Sequence, residues 1–230
     1  RRDINRYLTV RGAFTWGIAT AADSTNTSKD LVARNLSFRT NVFEGSLIGE
    51  FNFFDMDEKG FTPYVFVGVG GFGFDPTSKD VSGNKVRLRR LGTEGQGLPE
   101  YPERQPYDLF SFSCPFGAGV KAILNDQWTV GFEIGLRPTI TDYLDDVSTT
   151  YVDQNTLLAY RGQQAVDMAY RGDEVGGKLT PGTYPADGSP RGSAKYKDWY
   201  SFSGFTITYR LGGGSGWGKQ KAMRCPVLRP

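Results

Sequence analysis

Two neighbouring segments in which apolar and polar residues alternate, residues 107–123 and 128–140, constrain the fold of this chain most strongly. Their apolar positions are Phe110, Phe112, Cys114, Phe116, Ala118, Val120 and Ala122 in the first, and Trp128, Val130, Phe132, Ile134 and Leu136 in the second. Successive side chains of a β-strand point to opposite sides, so each segment has one apolar face and one face of Gly, Ser and single charges. Such a polar face suits the inside of a narrow barrel better than a water-facing sandwich surface. About ten residues per strand cross a bilayer when tilted.

The overall composition agrees with a barrel that crosses a membrane. The 230 residues include 30 Gly and 14% aromatic residues, and the mean hydropathy is −0.42. No apolar run reaches the length of a transmembrane helix, but outer-membrane strands alternate and therefore look polar on average. A net charge of +2 without a basic run gives no indication of nucleic-acid binding.

The chain contains no His. This excludes Ser–His and Cys–His nucleophilic catalysis, His-based metal sites and the usual general base near neutral pH. We therefore expect no catalytic residue, no metal and no cofactor.

Six strands are predicted, at residues 6–20, 42–54, 61–74, 107–123, 128–137 and 199–211. Long loops at 21–41, 75–106 and 138–198 alternate with short turns at 55–60 and 125–127, so antiparallel pairing places all long loops at one end. Outer-membrane barrels show this asymmetry, with the long loops extracellular and the turns periplasmic. The third strand is apolar or Gly on both sides, and we orient Val65, Val67 and Val69 outward.

The expected fold class is all-β, a small antiparallel transmembrane β-barrel of eight strands, because the smallest closed outer-membrane barrels have eight. Six strands lie in this chain, and we expect one further hairpin before residue 1. Alternatively, residues 85–91 and 157–170 supply the two missing strands, although that arrangement would disturb the sorting of the loops.

Several charged residues occupy inward positions on these strands: Arg11, Glu44, Glu50, Lys121, Glu133, Arg137 and Arg210. Four positive and three negative charges in so narrow a space must pair, because burying a lone charge is very costly. We expect an ion-pair plug that closes the lumen. A narrow charged channel and a catalytic carboxylate pair are the alternatives.

Aspartates crowd the start of the longest loop, at Asp142, Asp145, Asp146 and Asp153. Carboxylates bind Ca²⁺, but this spacing matches no EF-hand. The alternative is an acidic rim on a solvated loop, or a partner-facing surface. Aromatic residues near the strand ends are expected to form girdles at the membrane interfaces: Trp16, Trp128, Trp199, Tyr143, Tyr200 and Tyr209.

Residues 212–230 form a Gly-rich, basic tail beyond the last strand, at the periplasmic end. We interpret it as a tether with a short binding segment, or as a disordered remainder. Its candidate partner contacts are Trp217, Lys219, Lys221, Arg224 and Cys225. Cys225 is too far from Cys114, which faces lipid, to bond to it; it either pairs with another chain or stays unpaired.

Four segments resemble the PorG-like outer-membrane β-barrel proteins of the type IX secretion machinery of Bacteroidetes. They are TPYVFVGVGGFGFDP, PFGAGVKAILNDQWTVGFEIGLR, TDYLDDVSTTYVD and KDWYSFSGFTITYR. The similarity covers residues 5–211, with its most specific part at 136–153. The tail and the family's signal peptide and first hairpin are not matched.

The resemblance implies an outer-membrane barrel without enzymatic activity. It implies association with the periplasmic ring of the secretion machine, built of a lipoprotein and its soluble partner, and hence a role in protein transport and gliding motility. The alternatives are a pore for small or apolar solutes, a surface hydrolase that uses Asp145 and Asp146, and a soluble β-domain.

Overall fold

The computed structural model describes residues 1–175 and 183–209. The strands are β1 (Arg2–Asp3), β2 (Leu8–Ala22), β3 (Ser37–Asn52), β4 (Phe61–Gly73), β5 (Thr77–Lys79), β6 (Lys85–Arg87), β7 (Phe110–Ser113), β8 (Phe116–Ile123), β9 (Trp128–Pro138) and β10 (Trp199–Tyr209). The helices are α1 (Lys29–Arg34), α2 (Met56–Lys59), α3 (Gln154–Arg161) and α4 (Gln163–Ala169), with single 3₁₀ turns at Asp23–Thr25, Leu88–Arg90 and Gly172–Glu174. The chain is therefore predominantly β, as predicted.

One antiparallel sheet of order β1-β2-β3-β4-β8-β9-β10 forms the wall, with β7 also paired to β4. β7 and β8 keep the same register against β4, since Gly70 faces Ser113 and Val67 faces Phe116. They are one wall strand, interrupted at Cys114 and Pro115 because proline has no N–H to donate to the ladder. The wall thus has the six long strands that the sequence predicts.

The sheet curls strongly. Arg11 on β2 lies within hydrogen-bonding distance of Glu133 on β9, although three strands separate β2 and β9 in the sheet order. The ring of Phe202 on β10 fills the space beside Gly17 on β2. A flat sheet would hold these residues far apart, so the sheet is a curled half-barrel with an inner and an outer face. This confirms the expected all-β barrel class.

The connections are sorted by length. Residues 23–36 and 74–109, and the described residues between 139 and 198, lie at one end of the wall, and residues 53–60 and 124–127 lie at the other. The strand boundaries differ from the prediction. β2 continues to Ala22 and β3 already begins at Ser37, so both strands extend into the predicted first loop at 21–41. Thr20 pairs with Arg39 there, so backbone pairing continues where the side chains turn polar.

The two loop segments proposed as alternative wall strands are not wall strands. Lys85–Arg87 is a short strand in a side hairpin with β5, and residues 157–170 are mostly helical, in α3 and α4. The described residues of the two long connections, 74–109 and 139–175 with 183–198, pack together through these elements. We call them the cap.

The outer face of the wall is an apolar band. Exposed large hydrophobic residues on it include Phe14, Trp16, Phe43, Leu47, Phe51, Val65, Val67, Val69, Phe112, Phe132, Ile134, Phe205 and Ile207. The outward orientation of Val65, Val67 and Val69 agrees with the prediction. Ten residue steps separate Phe53 from Phe43, which at ~3.3 Å per residue and a tilt of ~40° is about 25 Å, the height of the apolar band of outer-membrane barrels.

Two of the six aromatic residues assigned to interfacial girdles point elsewhere. Tyr200 is buried inside the barrel, and Tyr143 stacks on Tyr107 in the cap with ring centroids 4.5 Å apart. Trp16, Trp128, Trp199 and Tyr209 are exposed. Tyr200 is a neighbour of Trp199 on one strand, so only one of the two can face outward.

Candidate functional site

The interior of the barrel holds two groups of charged side chains, each arranged around one buried glutamate. In the lower group, near the short turns, Glu50 of β3 accepts hydrogen bonds from Lys121 Nζ and Arg1 Nη2, both at 2.9 Å. Arg11 Nε lies 3.2 Å from the other Glu50 oxygen. The Lys121 side chain is only 2% exposed and that of Glu50 is fully buried, so neither charge is solvated by bulk water.

Glu133 of β9 completes the lower group. Arg11 Nη1 donates to it at 2.9 Å, and the Tyr64 hydroxyl donates at 2.7 Å. Lys121 Nζ also lies 4.6 Å from the centre of the Tyr64 ring, a distance at which cation–π attraction acts. Arg11 therefore bridges two glutamates on strands that face each other across the lumen.

The upper group is centred on Glu44 of β3, whose side chain is fully buried. Tyr200 and Ser113 donate hydrogen bonds to Glu44 Oε2 at 2.6 and 3.0 Å. Arg137 Nε lies 3.5 Å from the other oxygen, and its guanidinium lies over the ring of Phe202 at 4.8 Å. Glu44 on β3 thus lies directly against a cation of β9 and also accepts hydrogen bonds from hydroxyl groups of β7 and β10.

Inward glycines make room for these groups. A Cβ on Gly119 would lie 2.7 Å from the Tyr64 hydroxyl, and one on Gly117 or Gly135 would lie within 3 Å of the Phe66 ring. Real Cβ atoms do not approach that closely, so side chains larger than hydrogen would displace the rings. The small residues on the inner face therefore reflect a filled interior.

The sequence-predicted interior residues are found together, with one outside the described region. Arg11, Glu44, Glu50, Lys121, Glu133 and Arg137 form the two groups just described. Arg210 lies outside the described residues, as do Trp217, Lys219, Lys221, Arg224, Cys225 and the rest of the tail. Tyr64, Tyr200 and Ser113 were missed. Their inward strand positions were readable, but which glutamate each reaches depends on the curl of the sheet.

The cap covers the barrel end above the upper group. Phe74, Tyr107 and Leu144 of the cap pack in one hydrophobic cluster with Phe72 and Tyr200 of the wall. One hydrophobic cluster thus spans the wall and the cap, and the two pack together at this end.

A buried ion pair holds the cap together. Glu94 accepts hydrogen bonds from the backbone N–H groups of Ser148 and Thr149 at 2.9 and 3.1 Å, and from Arg191 Nη1 at 3.0 Å. Arg191 also lies 3.9 Å from Asp146. These contacts join Glu94 of one connection to Ser148, Thr149 and Arg191 of the other, so the ion pair holds the two long connections together.

The expected acidic rim is wrong for two of its four aspartates. Asp142 and Asp146 are buried, bonded respectively to Ser148 and to the hydroxyls of Thr93 and Tyr107. Asp153 accepts a hydrogen bond from Thr156 N as the N-cap of α3. Hydrogen-bonding partners place Asp142 and Asp146 in the interior and Asp153 at a helix N-terminus. The number and spacing of the aspartates in the sequence do not indicate these partners.

Burial changes the acidity of this cluster. It raises the pKa of Asp145 to about 7, with a further contribution from the charge of Asp198, and raises the pKa of Asp146 to about 6. Across the described part of the chain, no three acidic or cysteine side chains are grouped closely enough to hold a metal ion.

Within residues 1–175 and 183–209, no helix combines the length and apolar character needed to cross a bilayer. A family model described as the outer membrane protein beta-barrel domain matches residues 2–159, more than half of the chain. The chain belongs to this outer-membrane β-barrel family. It is therefore a membrane barrel protein of the outer membrane, and β10 extends the barrel wall beyond the matched region by pairing along β9. No curated protein and no solved structure matches the chain.

Proposed function

We propose that this outer-membrane barrel is a non-enzymatic anchor that docks the periplasmic ring of the type IX protein secretion machinery. Its partners would be the ring lipoprotein and the soluble protein bound to it. The sequence resemblance at residues 62–76, 115–137, 141–153 and 197–210 supports this assignment. An anchor of this kind would be oriented with the cap outside the cell. The turns at 53–60 and 124–127 and the tail would then face the periplasm.

The filled interior is the observation that favours an anchor over a transport pore. Glu50 and Lys121 are bonded at 2.9 Å across the lower lumen, and the Glu44 group and the cap lie above them. Moving a solute along this path would require separating buried ion pairs, which costs several kcal/mol for each uncompensated charge. An anchor needs only the outer face and the periplasmic end.

Deletion of residues 212–230 tests the docking. The shortened protein should still fold, shown by a heat-dependent shift in gel mobility, but should no longer co-purify the ring proteins from gently solubilised outer membranes. A matched control replaces residues 24–33, at the opposite end, by a short Gly-Ser linker and should keep the ring. Ring proteins that co-purify undiminished with the tail deletion would show that the tail is not the attachment.

Planar-bilayer recording separates the anchor from the pore. We expect no stepwise conductance from the purified barrel. Stable single-channel steps, abolished by a substitution such as Glu50→Trp in the lower lumen, would instead establish the pore.

A further inference from the structure

A short hairpin extends the outer face of the wall and carries basic side chains. β5 joins the end of β3 through Arg39 paired with Thr77, and β6 pairs with β5 so that Arg87 faces Thr77 and Lys85 faces Lys79. Cross-strand partners project to the same side of a sheet. Arg39, Lys79, Lys85 and Arg87 therefore share one face and are all exposed. We call these four residues the basic row.

The basic row lies just beyond the apolar band. Arg39 and Phe43 are four residues apart on β3 and so point to the same side. Phe43 is exposed and stacks against Trp16, whereas Asn41 and Arg39 beyond it are polar. Four residues span ~13 Å along a strand, or about 10 Å along the membrane normal at a tilt of ~40°. That distance reaches the headgroup layer of the adjoining leaflet.

The hairpin places two like charges directly opposite each other. Lys79 and Lys85 form a cross-strand pair, an arrangement that destabilises a hairpin. Two carboxylates lie nearby. Asp75 is 3.3 Å from Arg87, and Asp80 accepts hydrogen bonds from the backbone of its own turn. The four cations therefore exceed the nearby acidic groups, and a bound anion would offset the repulsion.

A groove of about 350 Å³ adjoins the basic row. It is lined by Lys85, Val86, Arg87, Arg90, Leu91 and Gln164. This lining contains three cations and an amide but no carboxylate, and Val86 packs on its buried side against Leu88 and Met168. Phosphate oxygens match such a set of donors, since Arg and Lys both bind phosphate through charge-assisted hydrogen bonds.

We propose that the basic row and its groove bind phosphate groups of outer-leaflet lipid. The barrel would thereby carry a lipid-specific contact at its cap end, separate from the ring-docking end. This inference rests on the proposed orientation, in which the cap end faces the outer leaflet. The lipid is favoured over a soluble phosphate because the row continues the lipid-facing surface of β3.

The test is titration of the purified full chain in detergent with phosphorylated lipid A, and separately with dephosphorylated lipid A, followed by native mass spectrometry. The wild type should bind the phosphorylated form preferentially. The variant K79Q/K85Q/R87Q should bind it about a hundredfold more weakly, from ~1 kcal/mol per basic residue near a charged lipid surface. The control R6Q/K29Q/K59Q removes three exposed charges elsewhere and should bind like the wild type.

A second variant distinguishes a loss of lipid binding from misfolding of the hairpin. Lys85→Glu creates an opposite-charge pair with Lys79, so the hairpin should persist while lipid binding falls. Equal losses in the triple variant and its control, or none in either, would overturn the proposal. Displacement of lipid A by an equal concentration of inorganic phosphate would show a site for soluble phosphate instead.

Orientation is tested independently. A cysteine introduced at Val81, in the turn between β5 and β6, should react with a membrane-impermeant maleimide on intact cells when Cys114 and Cys225 are replaced by Ser. Labelling only after the outer membrane is permeabilised would overturn the proposed orientation and with it the outer-leaflet lipid. Lipid A titration would still report on phosphate binding by the row.

Discussion

At the scale of single residues, the interior of this barrel depends on pairing. Glu50 is in contact with Arg1, Arg11 and Lys121, and only their combination keeps the buried charges compensated. The same interior is packed so closely that the identity of a glycine matters.

Glu50→Gln should destabilise the barrel by about 3–5 kcal/mol, because it leaves buried Lys121 and half-buried Arg11 with too little negative charge. The free energy of unfolding would be measured by urea titration in lipid vesicles. Glu58→Gln removes the same charge from an exposed site in α2 and should change stability by less than about 0.5 kcal/mol. Similar small effects at both sites would show that the interior charges are solvated rather than paired.

Gly119→Val should lower the free energy of unfolding by about 1–3 kcal/mol, since the new side chain displaces the Tyr64 ring from a packed interior. Gly45→Val is the matched substitution on the outer face, where a Cβ meets no atom within 4 Å. It should be neutral or stabilising, because valine favours strands and contacts lipid. The same urea titration compares them, and the opposite order of effects would reverse the assignment of inner and outer faces.

At the scale of elements, the cap is a folded unit formed from two connections. Glu94 and Arg191 join them, and α3 and α4 bury Leu157 and Val166 in a hydrophobic cluster with Val152. The aspartates at their junction are held in surroundings that penalise a negative charge. The stability of the cap therefore depends on pH.

The cap should be more stable near pH 5 than near pH 7.5. Burial raises the pKa of Asp145 to about 7, and those of Asp146 and Asp198 to about 6, from a usual 3.8. A carboxyl with a raised pKa binds its proton more tightly when folded, so its contribution is largest below about pH 4 and falls as pH rises to about 7. Hydrogen exchange at the Ser148 and Thr149 amides, corrected for intrinsic rate, measures this.

Asp145→Asn isolates the contribution of one aspartate to the change of cap stability with pH. Asparagine keeps the acceptor for the Val147 N–H but carries no charge. The variant should therefore protect the cap better at pH 7.5 and flatten its pH dependence. Asp30→Asn, at an exposed position in α1, is the control and should leave the slope unchanged. A steeper dependence in the Asp145 variant would contradict the proposed burial effect.

At the scale of the whole molecule, exposure has two meanings, because the wall faces hydrocarbon and the cap faces water. Val67 is 60% exposed near the middle of the apolar band, and Val81 is 77% exposed in the β5–β6 turn. Identical substitutions at these sites report the solvent around each.

Val67→Lys should cost about 2–4 kcal/mol of folding free energy in a bilayer, as expected for a lysine at the midplane of a barrel. Val81→Lys should be close to neutral. Reversible folding into vesicles gives both values. If both substitutions proved neutral, the outer face would lie in water and the barrel interpretation would fail.

Local sequence patterns were sufficient for much of this fold. Period-two alternation around Phe132 and Ile134 predicts a wall strand with a lipid face, and loop lengths predict which connections share an end. These features are local, because a strand's facing depends only on its own residue order. The inward positions of Glu44, Glu50 and Glu133 were predicted for the same reason.

Other features depended on tertiary structure. Which cation meets which glutamate depends on how far the sheet curls, and Arg11 reaches Glu133 only because β2 and β9 face each other across the lumen. The inward placement of Asp142 and Asp146 depends on hydroxyl groups of Ser148, Thr93 and Tyr107. The sequence by itself thus determined the strands, their faces and the sorting of the loops, because these follow from neighbouring residues. The pairing of charges and the folded cap were decided by tertiary structure, because residues distant in the chain supply the partners that make burial favourable.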